Sequence, residues 1–234
     1  RNVVGITVDG WASCALIRDG SVQCWGVNRY AQLGQGTTSP IDMAFAPAAV
    51  PKLDSAIAIS LGGEMGLALR AQRDVVWWGI DDIGTDDTTT YEEMRSHIHG
   101  VTPMKVPGPA LAVAAAGTSA YVLSQDGRIW AQGVGRLGDG TKRSSTMPVE
   151  VVGIHDAIAL AANALHVCAL SSKGSVLWSR NVGGVKAVAS DNDRVFGADA
   201  SDRITAWRTT NGDVSWTSER LLYRGLSGAL SVGP

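Results

Sequence analysis

A 24-residue pattern that occurs four times is the strongest constraint on the fold. The copies begin at Val3, Ala56, Ala110 and Ala157, so the steps between them are 53, 54 and 47 residues. Repeats of this size form stacked supersecondary units, each of which buries its apolar face only against a neighbour. The sequence therefore predicts a repeat protein. Three aligned columns are aliphatic throughout: Leu16, Leu69, Leu123 and Leu170; Val22, Val75, Ile129 and Val176; Ile6, Ile59, Val113 and Leu160.

Each copy is typical of strands joined by tight turns. In the first copy two apolar runs flank the Asp19-Gly20 pair, which is the strongest short-range signal of a β-hairpin. Gly127 and Gly174 occupy the same column as Gly20, whereas the second copy has Arg73 there, so we expect a wider or strained turn. A short apolar strand before each hairpin and an extended segment after it give four strands per unit. The prediction is an all-β fold, a β-propeller of four-stranded antiparallel blades, with about five blades in 234 residues.

Residues 14–37, CALIRDGSVQCWGVNRYAQLGQGT, resemble the repeat of the regulator of chromosome condensation family. The family pattern is similar to H-T-x-A-L-x-x-D-G-x-V-x-x-W-G-x-N-x-x-G-Q-L-G-x-G-T. Residues 166–170 match its beginning and residues 133–141 shorten its end, while Ala31 replaces a family glycine. The resemblance covers residues 3–180, and it implies a propeller that binds protein partners.

The C-terminal part follows a different pattern. Residues 184–234 resemble one blade of the BamB-like, quinoprotein-like propellers and the first strand of a further blade. Aligning Ile204 with Val176 leaves a step of 28 residues, which is too short for a four-stranded blade. We therefore expect a natural or engineered chimera with a junction near residues 180–184, whose strands complete one hybrid blade.

These two parts are expected to form a single propeller domain over residues 1–234. Ring closure would pair the strand at residues 3–8 with the strand at residues 226–232, which removes exposed sheet edges. If the ring stays open within one chain, two copies would complete a larger ring as a homodimer.

The cysteines leave two alternatives open. Cys14 and Cys24 stand symmetrically about Asp19, so a three-residue turn would place them opposite each other within disulfide reach. A two-residue turn would offset them by one position and leave two buried thiols. A disulfide would favour an extracytoplasmic location, either periplasmic or secreted. Cys168 aligns with Cys14 but has Trp178 opposite, so we expect an unpaired buried thiol.

The tryptophans recur at one place in the blade. Trp25, Trp78 and Trp207 share an alignment column, which favours packing between blades over stacking on a ligand. Trp11 has no aromatic counterpart in the other copies. It is therefore a candidate for an exposed contact.

No motif predicts catalysis, a cofactor or a metal. Residues 133–138 satisfy G-x-G-x-x-G, but a polar loop follows instead of the helix that a dinucleotide site requires. His97 and His99 alternate near several acidic residues without metal-ligand spacing, which favours a solvated acidic insertion. The net charge of -2 argues against nucleic acid as a partner, and the apolar stretches are too short to span a membrane.

The leading functional interpretation is a non-enzymatic propeller scaffold for protein–protein interaction. The alternative is an engineered or recombined chimeric propeller with no evolved function beyond folding. An enzyme of the quinoprotein type is disfavoured because no cofactor-site residues are present. For the segment at residues 220–224, burial between blades is the competing role. The interaction candidates are polar or aromatic residues in loops: Trp11, Asn28, Arg29, Tyr30, Gln32, Arg220, Tyr223 and Arg224.

Overall fold

Three four-stranded sheets follow one another along the chain. The computed structural model describes residues 2–9, 11–36, 43–81, 97–162 and 167–171, and beyond these only the backbone of the strands. Each sheet is an antiparallel meander in chain order, as the repeat predicts. Sheet 1 contains β1 (Val3–Asp9), β2 (Ala12–Ile17), β3 (Val22–Val27) and β4 (Met43–Ala49); sheet 2 contains β5 (Ala56–Leu61), β6 (Met65–Arg70), β7 (Val75–Ile80) and β8 (Ile98–Met104); sheet 3 contains β9 (Ala110–Ala116), β10 (Ser119–Ser124), β11 (Ile129–Gly133) and β12 (Ser145–Glu150).

The C-terminal strands are arranged differently. The strands are β13 (Ala157–Ala162), β14 (Val167–Ser171), β15 (Val176–Arg180), β16 (Val185–Ser190), β17 (Arg194–Ala198), β18 (Ile204–Arg208), β19 (Val214–Thr217) and β20 (Leu226–Val232). Strand β20 lies between β13 and β16, antiparallel to β13 and parallel to β16. The resulting order is β15-β14-β13-β20-β16-β17-β18-β19.

Two pairing expectations from the sequence are wrong. The expected closure of the ring would pair β1 with β20, but both edges of β20 are hydrogen bonded, one to β13 and the other to β16. The expected hybrid blade would place β16 beside β15, and β20 is inserted between β13 and β16 instead. Strand pairing over such sequence separations is decided by packing, which local patterns do not encode.

The turns between β2 and β3, β6 and β7, and β10 and β11 contain three residues each. In sheet 1, Leu16 pairs with Val22, and the Gly20 amide donates to the Ile17 carbonyl at 2.9 Å. Gly20 takes the left-handed conformation, with φ of +82°. The second copy has the same turn with Arg73 at φ +66°, so the turn is strained, as expected, but not wider.

The sheets stack face to face, and residues of the aliphatic columns lie between them, with Ile6 of β1 as an exposed exception. Leu16 and Val22 pack against sheet 2 together with Trp78, while Leu69 and Val75 pack against sheet 3. The third-copy members of the same columns, Leu123 and Ile129, pack against β13 and β14. Because side chains alternate along a strand, each sheet contributes one set of residues to each neighbour. The predicted core between successive units is confirmed.

The first strands of successive sheets are also hydrogen bonded to each other. The hydroxyl of Thr7 accepts from the Leu61 amide at 3.1 Å, and that of Ser60 accepts from the Ala115 amide at 2.9 Å. Thr7 and Ser60 occupy the same repeat column. The sheets are therefore joined by a recurring polar contact as well as by apolar packing.

Gly26 explains why tryptophan is followed by glycine in the repeat. Its φ is +112°, and a Cβ there would lie 2.4 Å from the Trp11 carbonyl oxygen. Gly79 is equivalent in sheet 2, where a Cβ would lie 2.3 Å from the Glu64 carbonyl oxygen. Only glycine permits this close approach of β3 or β7 to the preceding turn.

Candidate interaction surfaces

Trp11, Arg29 and Tyr30 lie in two neighbouring loops at one end of sheet 1, and we call these three residues the aromatic rim. The Val27 amide donates to the Trp11 carbonyl at 2.8 Å, so the β1–β2 turn lies beside the segment that leaves β3. Trp11 is 75% exposed. The Arg29 guanidinium lies 5.6 Å from the centre of the Tyr30 ring, within cation–π distance.

Asn28 and Gln32 hold this loop in place from within and are buried. The Asn28 side-chain oxygen accepts from the Leu33 amide at 3.2 Å, and that of Gln32 accepts from the Tyr30 amide at 2.8 Å. The Gln32 amide nitrogen also donates to the Gly63 carbonyl at 3.4 Å. These two interaction candidates therefore position the loop. The sequence did not separate them from Arg29 and Tyr30, because polar residues in a loop serve either role.

Trp78 anchors the same loop to sheet 2. Its indole nitrogen donates to the Gln32 carbonyl at 2.8 Å, and the ring is fully buried between sheets 1 and 2. Trp77 packs in the next interface, against sheet 3, whereas Trp25 is only half-buried. Within the predicted column, Trp78 packs between two sheets and also makes a polar contact, whereas the side chain of Trp207 lies outside the described residues.

Two partly buried carboxyls lie at this end of the sheets. Burial raises the pKa of Asp9 from its ordinary value of 3.8 to about 6, and its Oδ2 atom has no hydrogen-bond partner. Burial, together with the charge of Asp9, raises the pKa of Glu64. Each carboxyl therefore binds a proton more readily than it would in water.

A cluster of one aspartate and two histidines was missed by the sequence analysis. Asp81 is largely buried, not solvated; its Oδ1 lies 3.2 Å from His97 Nδ1 and its Oδ2 lies 3.0 Å from His99 Nε2. The His99 ring also packs on Trp77, with 4.7 Å between ring centres. Within the described part of the chain, no three His, Cys, Asp or Glu residues are arranged to hold a metal. The cluster joins the end of β7 to the start of β8, a pairing that sequence spacing does not reveal.

Cys14 and Cys24 form a disulfide across β2 and β3. They are register partners with Cα atoms 4.1 Å apart and sulfurs 2.06 Å apart. The three-residue turn produces this alignment, which is the first of the two alternatives that the sequence left open. Cys168 is a buried free thiol, and burial raises its pKa to about 11.

The remaining interaction candidates lie outside the described residues. These are Arg220, Tyr223 and Arg224.

A second candidate surface is the face of sheet 1 that points away from sheet 2. Thr7 contacts sheet 2, so by strand alternation the neighbouring residues of β1 point the other way. They are apolar and exposed, and two large apolar residues of β4 are exposed as well. We call this set the outer face: Ile6, Val8, Met43 and Phe45.

Comparison with known proteins places these surfaces on a propeller. Residues 19–69 match the regulator of chromosome condensation (RCC1) repeat. Human WBSCR16 superposes with a TM-score of 0.59 at 18% identity, over 86% of this chain and 48% of that one. A chain in the crystal structure of Kap60 bound to yeast RCC1 (Prp20) gives 0.59 at 18% identity, over 84% and 44%. The propeller-blade fold predicted from the repeats is thereby confirmed.

Sequence relatives come from two groups of proteins. The outer membrane protein assembly factor BamB of Salmonella typhimurium is 33% identical over 111 residues, which is 45% of this chain and 28% of that protein. The mitochondrial RCC1 domain-containing protein RUG3 of Arabidopsis thaliana is 25% identical over 187 residues, 73% of this chain and 40% of that protein. This chain therefore spans less than half the length of each.

The BamB similarity is longer than the C-terminal segment that suggested it. It covers 45% of 234 residues, or about 105, whereas residues 184–234 number 51. It therefore extends into the repeats that precede residue 184. No helix in the portion of the chain that the structure describes is long and apolar enough to cross a membrane. The chain is thus similar to two groups of propellers, with repeats of the regulator of chromosome condensation type joined to BamB-like sequence.

Proposed function

We propose that the protein is a non-enzymatic scaffold that binds a protein partner through the aromatic rim. The observation that carries this proposal is the 75% exposure of Trp11 at the end of sheet 1 that also carries the Arg29–Tyr30 pair. Tryptophan, tyrosine and arginine are the residues that most often dominate the energy of protein interfaces. Because the Trp11 indole is large and exposed to solvent, a partner can bury it on binding.

Hydrogen bonds hold the loop that carries Arg29 and Tyr30. The Gln32 side chain accepts from the Tyr30 amide, and the Trp78 indole donates to the Gln32 carbonyl. A surface held in this way loses little conformational entropy on binding, so more of the contact energy becomes affinity. The Cys14–Cys24 disulfide further ties together the two strands that carry Trp11 and Arg29.

The relatives support protein binding in general. The yeast RCC1 structure contains a bound protein, Kap60, and BamB is an outer membrane protein assembly factor. Since this chain spans less than half the length of these proteins, their partners do not carry over to it. We also propose an extracytoplasmic location, which is supported by the pairing of Cys14 with Cys24 in a disulfide.

Site-specific photo-cross-linking tests the proposal. A photoreactive amino acid replaces Trp11 in one variant and Arg18, an exposed residue at the opposite end of sheet 1, in the control. We expect one discrete cross-linked protein from position 11 and none from position 18. In unmodified chains, Tyr30→Ala should weaken capture of that protein at least tenfold, and Arg18→Ala should leave it unchanged.

Equal labelling from positions 11 and 18 would contradict the proposal. A complete lack of cross-links in extracts of the source would favour the alternative, a recombined propeller with no evolved partner. The mixture of two kinds of propeller sequence in one chain is the observation that keeps this alternative open.

A further inference from the structure

A cavity of about 410 Å³ lies beside the β10–β11 turn, and we call it the turn cavity. This turn joins the second and third strands of its blade, whereas Trp11 lies between the first and second strands of sheet 1, so the cavity is at the opposite end from the aromatic rim. The lining residues are Pro107, Gly108, Pro109, Ser124, Gln125 and Asp126. The cavity therefore combines apolar proline rings with one carboxylate.

The second copy of the repeat has the same backbone at this place. Ser124 and Arg70 occupy the same repeat column, and each turn is held by three equivalent backbone hydrogen bonds. They are 2.8 to 3.0 Å long in sheet 2 and 2.9 to 3.0 Å long in sheet 3. They run from the amides of Arg70, Ala71 and Arg73 to the carbonyls of Asp74, Ser55 and Arg70, and from the amides of Ser124, Gln125 and Gly127 to the carbonyls of Arg128, Pro109 and Ser124. The two turns therefore differ in their side chains and not in their backbone bonding.

In sheet 2 an arginine side chain of the chain itself spans this place. The Arg70 Nε donates to Asp74 Oδ1 at 3.0 Å, and its Nη1 lies 4.0 Å from Asp54 Oδ1. Asp54 belongs to the segment that precedes β5, where the third copy has Gly108. The Arg70 side chain thus reaches from its turn to the preceding segment. In sheet 3 the same span, from Ser124 to Gly108, is part of the turn cavity, because serine is too short to cross it.

The carboxylate of the turn cavity is held in place by its own turn. Asp126 Oδ1 accepts from the Ser124 hydroxyl and from the Arg128 amide. The bond from Ser124 is the main cause that lowers the pKa of Asp126, so this carboxyl is ionised at neutral pH. Arg128 Nε lies 3.4 Å from Asp126 Oδ2, but its Nη1 also donates to Glu150 at 3.1 Å. One guanidinium is therefore shared by two carboxylates, which leaves an excess of negative charge beside the cavity.

We propose that the turn cavity binds an arginine side chain of a protein partner, with the guanidinium on Asp126 and the alkyl stem against Pro107 and Pro109. Guanidinium groups form strong charge-assisted hydrogen bonds with carboxylates, and the arginine stem packs on apolar surface. The second copy supplies the internal precedent, since its own guanidinium crosses the equivalent place. This inference rests on the turn cavity alone and is independent of the aromatic rim.

Nuclear magnetic resonance with a small arginine probe tests the proposal. Nα-acetyl-arginine N-methylamide should cause saturable shifts of the amide signals of Gly108 and Gln125, which line the cavity. The same derivative of citrulline has nearly the shape of arginine without its charge. It should bind at least fivefold more weakly, because it cannot form the charged pair with Asp126. Equal binding of the two probes would overturn the proposal, and so would an arginine probe that leaves both signals unmoved.

Two variants test whether the shifts come from this cavity. Ser124→Arg makes the third copy like the second and should abolish the shifts, because the chain's own guanidinium then crosses the cavity. Asp126→Asn should weaken binding of the arginine probe at least fivefold, and its side-chain oxygen still accepts from the Arg128 amide, so the turn is kept if Ser124→Arg fails to fold.

Asp139→Asn is the matched control. Asp139 also accepts from an amide and a hydroxyl two residues ahead, both of Thr141, but it lies outside the turn cavity, so binding should be unchanged. Equal weakening by Asp126→Asn and Asp139→Asn would show a general attraction of cations to acidic surface. That result overturns the proposal, as does full binding by a folded Ser124→Arg variant.

Discussion

The two faces of sheet 1 have similar side chains but different surroundings. On the inner face, Leu16 and Val22 are buried against sheet 2, while on the outer face Ile6 and Val8 are exposed. Both sets belong to columns that are aliphatic in every copy or nearly so. The difference shows that the repeat specifies an apolar residue at each position, whereas the neighbouring sheet determines whether that residue is buried.

The largest expected effect comes from truncating the most buried and the most exposed side chain of one alignment column, Leu160 and Ile6. Leu160→Ala should lower the free energy of unfolding by about 2–5 kcal/mol, because it leaves a cavity between β13 and sheet 3. Ile6→Ala should lower it by less than about 0.5 kcal/mol, because the side chain is already largely in water. Urea unfolding followed by tryptophan fluorescence measures both. Equal losses would break the comparison between covered and uncovered faces.

The next prediction concerns the contribution of the Cys14–Cys24 disulfide, on the inner face of sheet 1, to the free energy of unfolding. Cys14→Ala combined with Cys24→Ala should cost about 3 kcal/mol, the chain-entropy value for a short closed loop. Reduction of the unmodified protein should have a similar effect. Cys168→Ala, in the equivalent column of the fourth copy, removes only a small buried side chain and should cost about 1 kcal/mol. If the two cysteine variants were equally stable, the covalent link would contribute nothing to sheet 1.

The hydroxyl contacts between first strands should contribute less. Ser60→Ala leaves the buried amide of Ala115 without its acceptor and should cost about 1–3 kcal/mol. Ser60→Thr keeps the hydroxyl, as Thr7 does in the preceding copy, and should cost less than half as much. Thermal unfolding of the three proteins provides the measurement. An equal loss in both variants would show that packing around Ser60, rather than the hydrogen bond, joins the sheets.

The smallest expected effect is a dependence on pH at the inner side of β1. The folded-state pKa of Asp9 is raised to about 6 from 3.8, so its contribution to stability is fully present below about pH 4 and is lost as the pH rises through 6. Asp9→Asn should flatten the stability profile between pH 4 and 6. Chemical unfolding at several pH values measures this, with Asp139→Asn, in the loop between β11 and β12, as the control. A profile that Asp9→Asn leaves unchanged would show that Asp9 is well solvated.

The sequence alone determined the strands, the hairpins and the columns that form the core. These depend on local properties: side-chain alternation, a glycine at the left-handed position of the turn, and aliphatic residues at a constant spacing. For that reason Leu16, Leu69, Leu123 and Leu170 were correctly placed in the interior. The turn length remained open in the sequence, because two- and three-residue turns both accommodate Asp19 and Gly20.

Only the tertiary structure decided the placement of β20, the burial of Asn28 and Gln32, and the pairing of Asp81 with two histidines. Each of these depends on groups that are distant in sequence. The energy of such contacts depends on which surfaces are buried against each other in the folded chain. The same reason explains the two faces of sheet 1. An aliphatic alignment column indicates that the side chain at that position is stabilised by nonpolar surroundings. Only the three-dimensional arrangement determines whether a neighbouring sheet provides them.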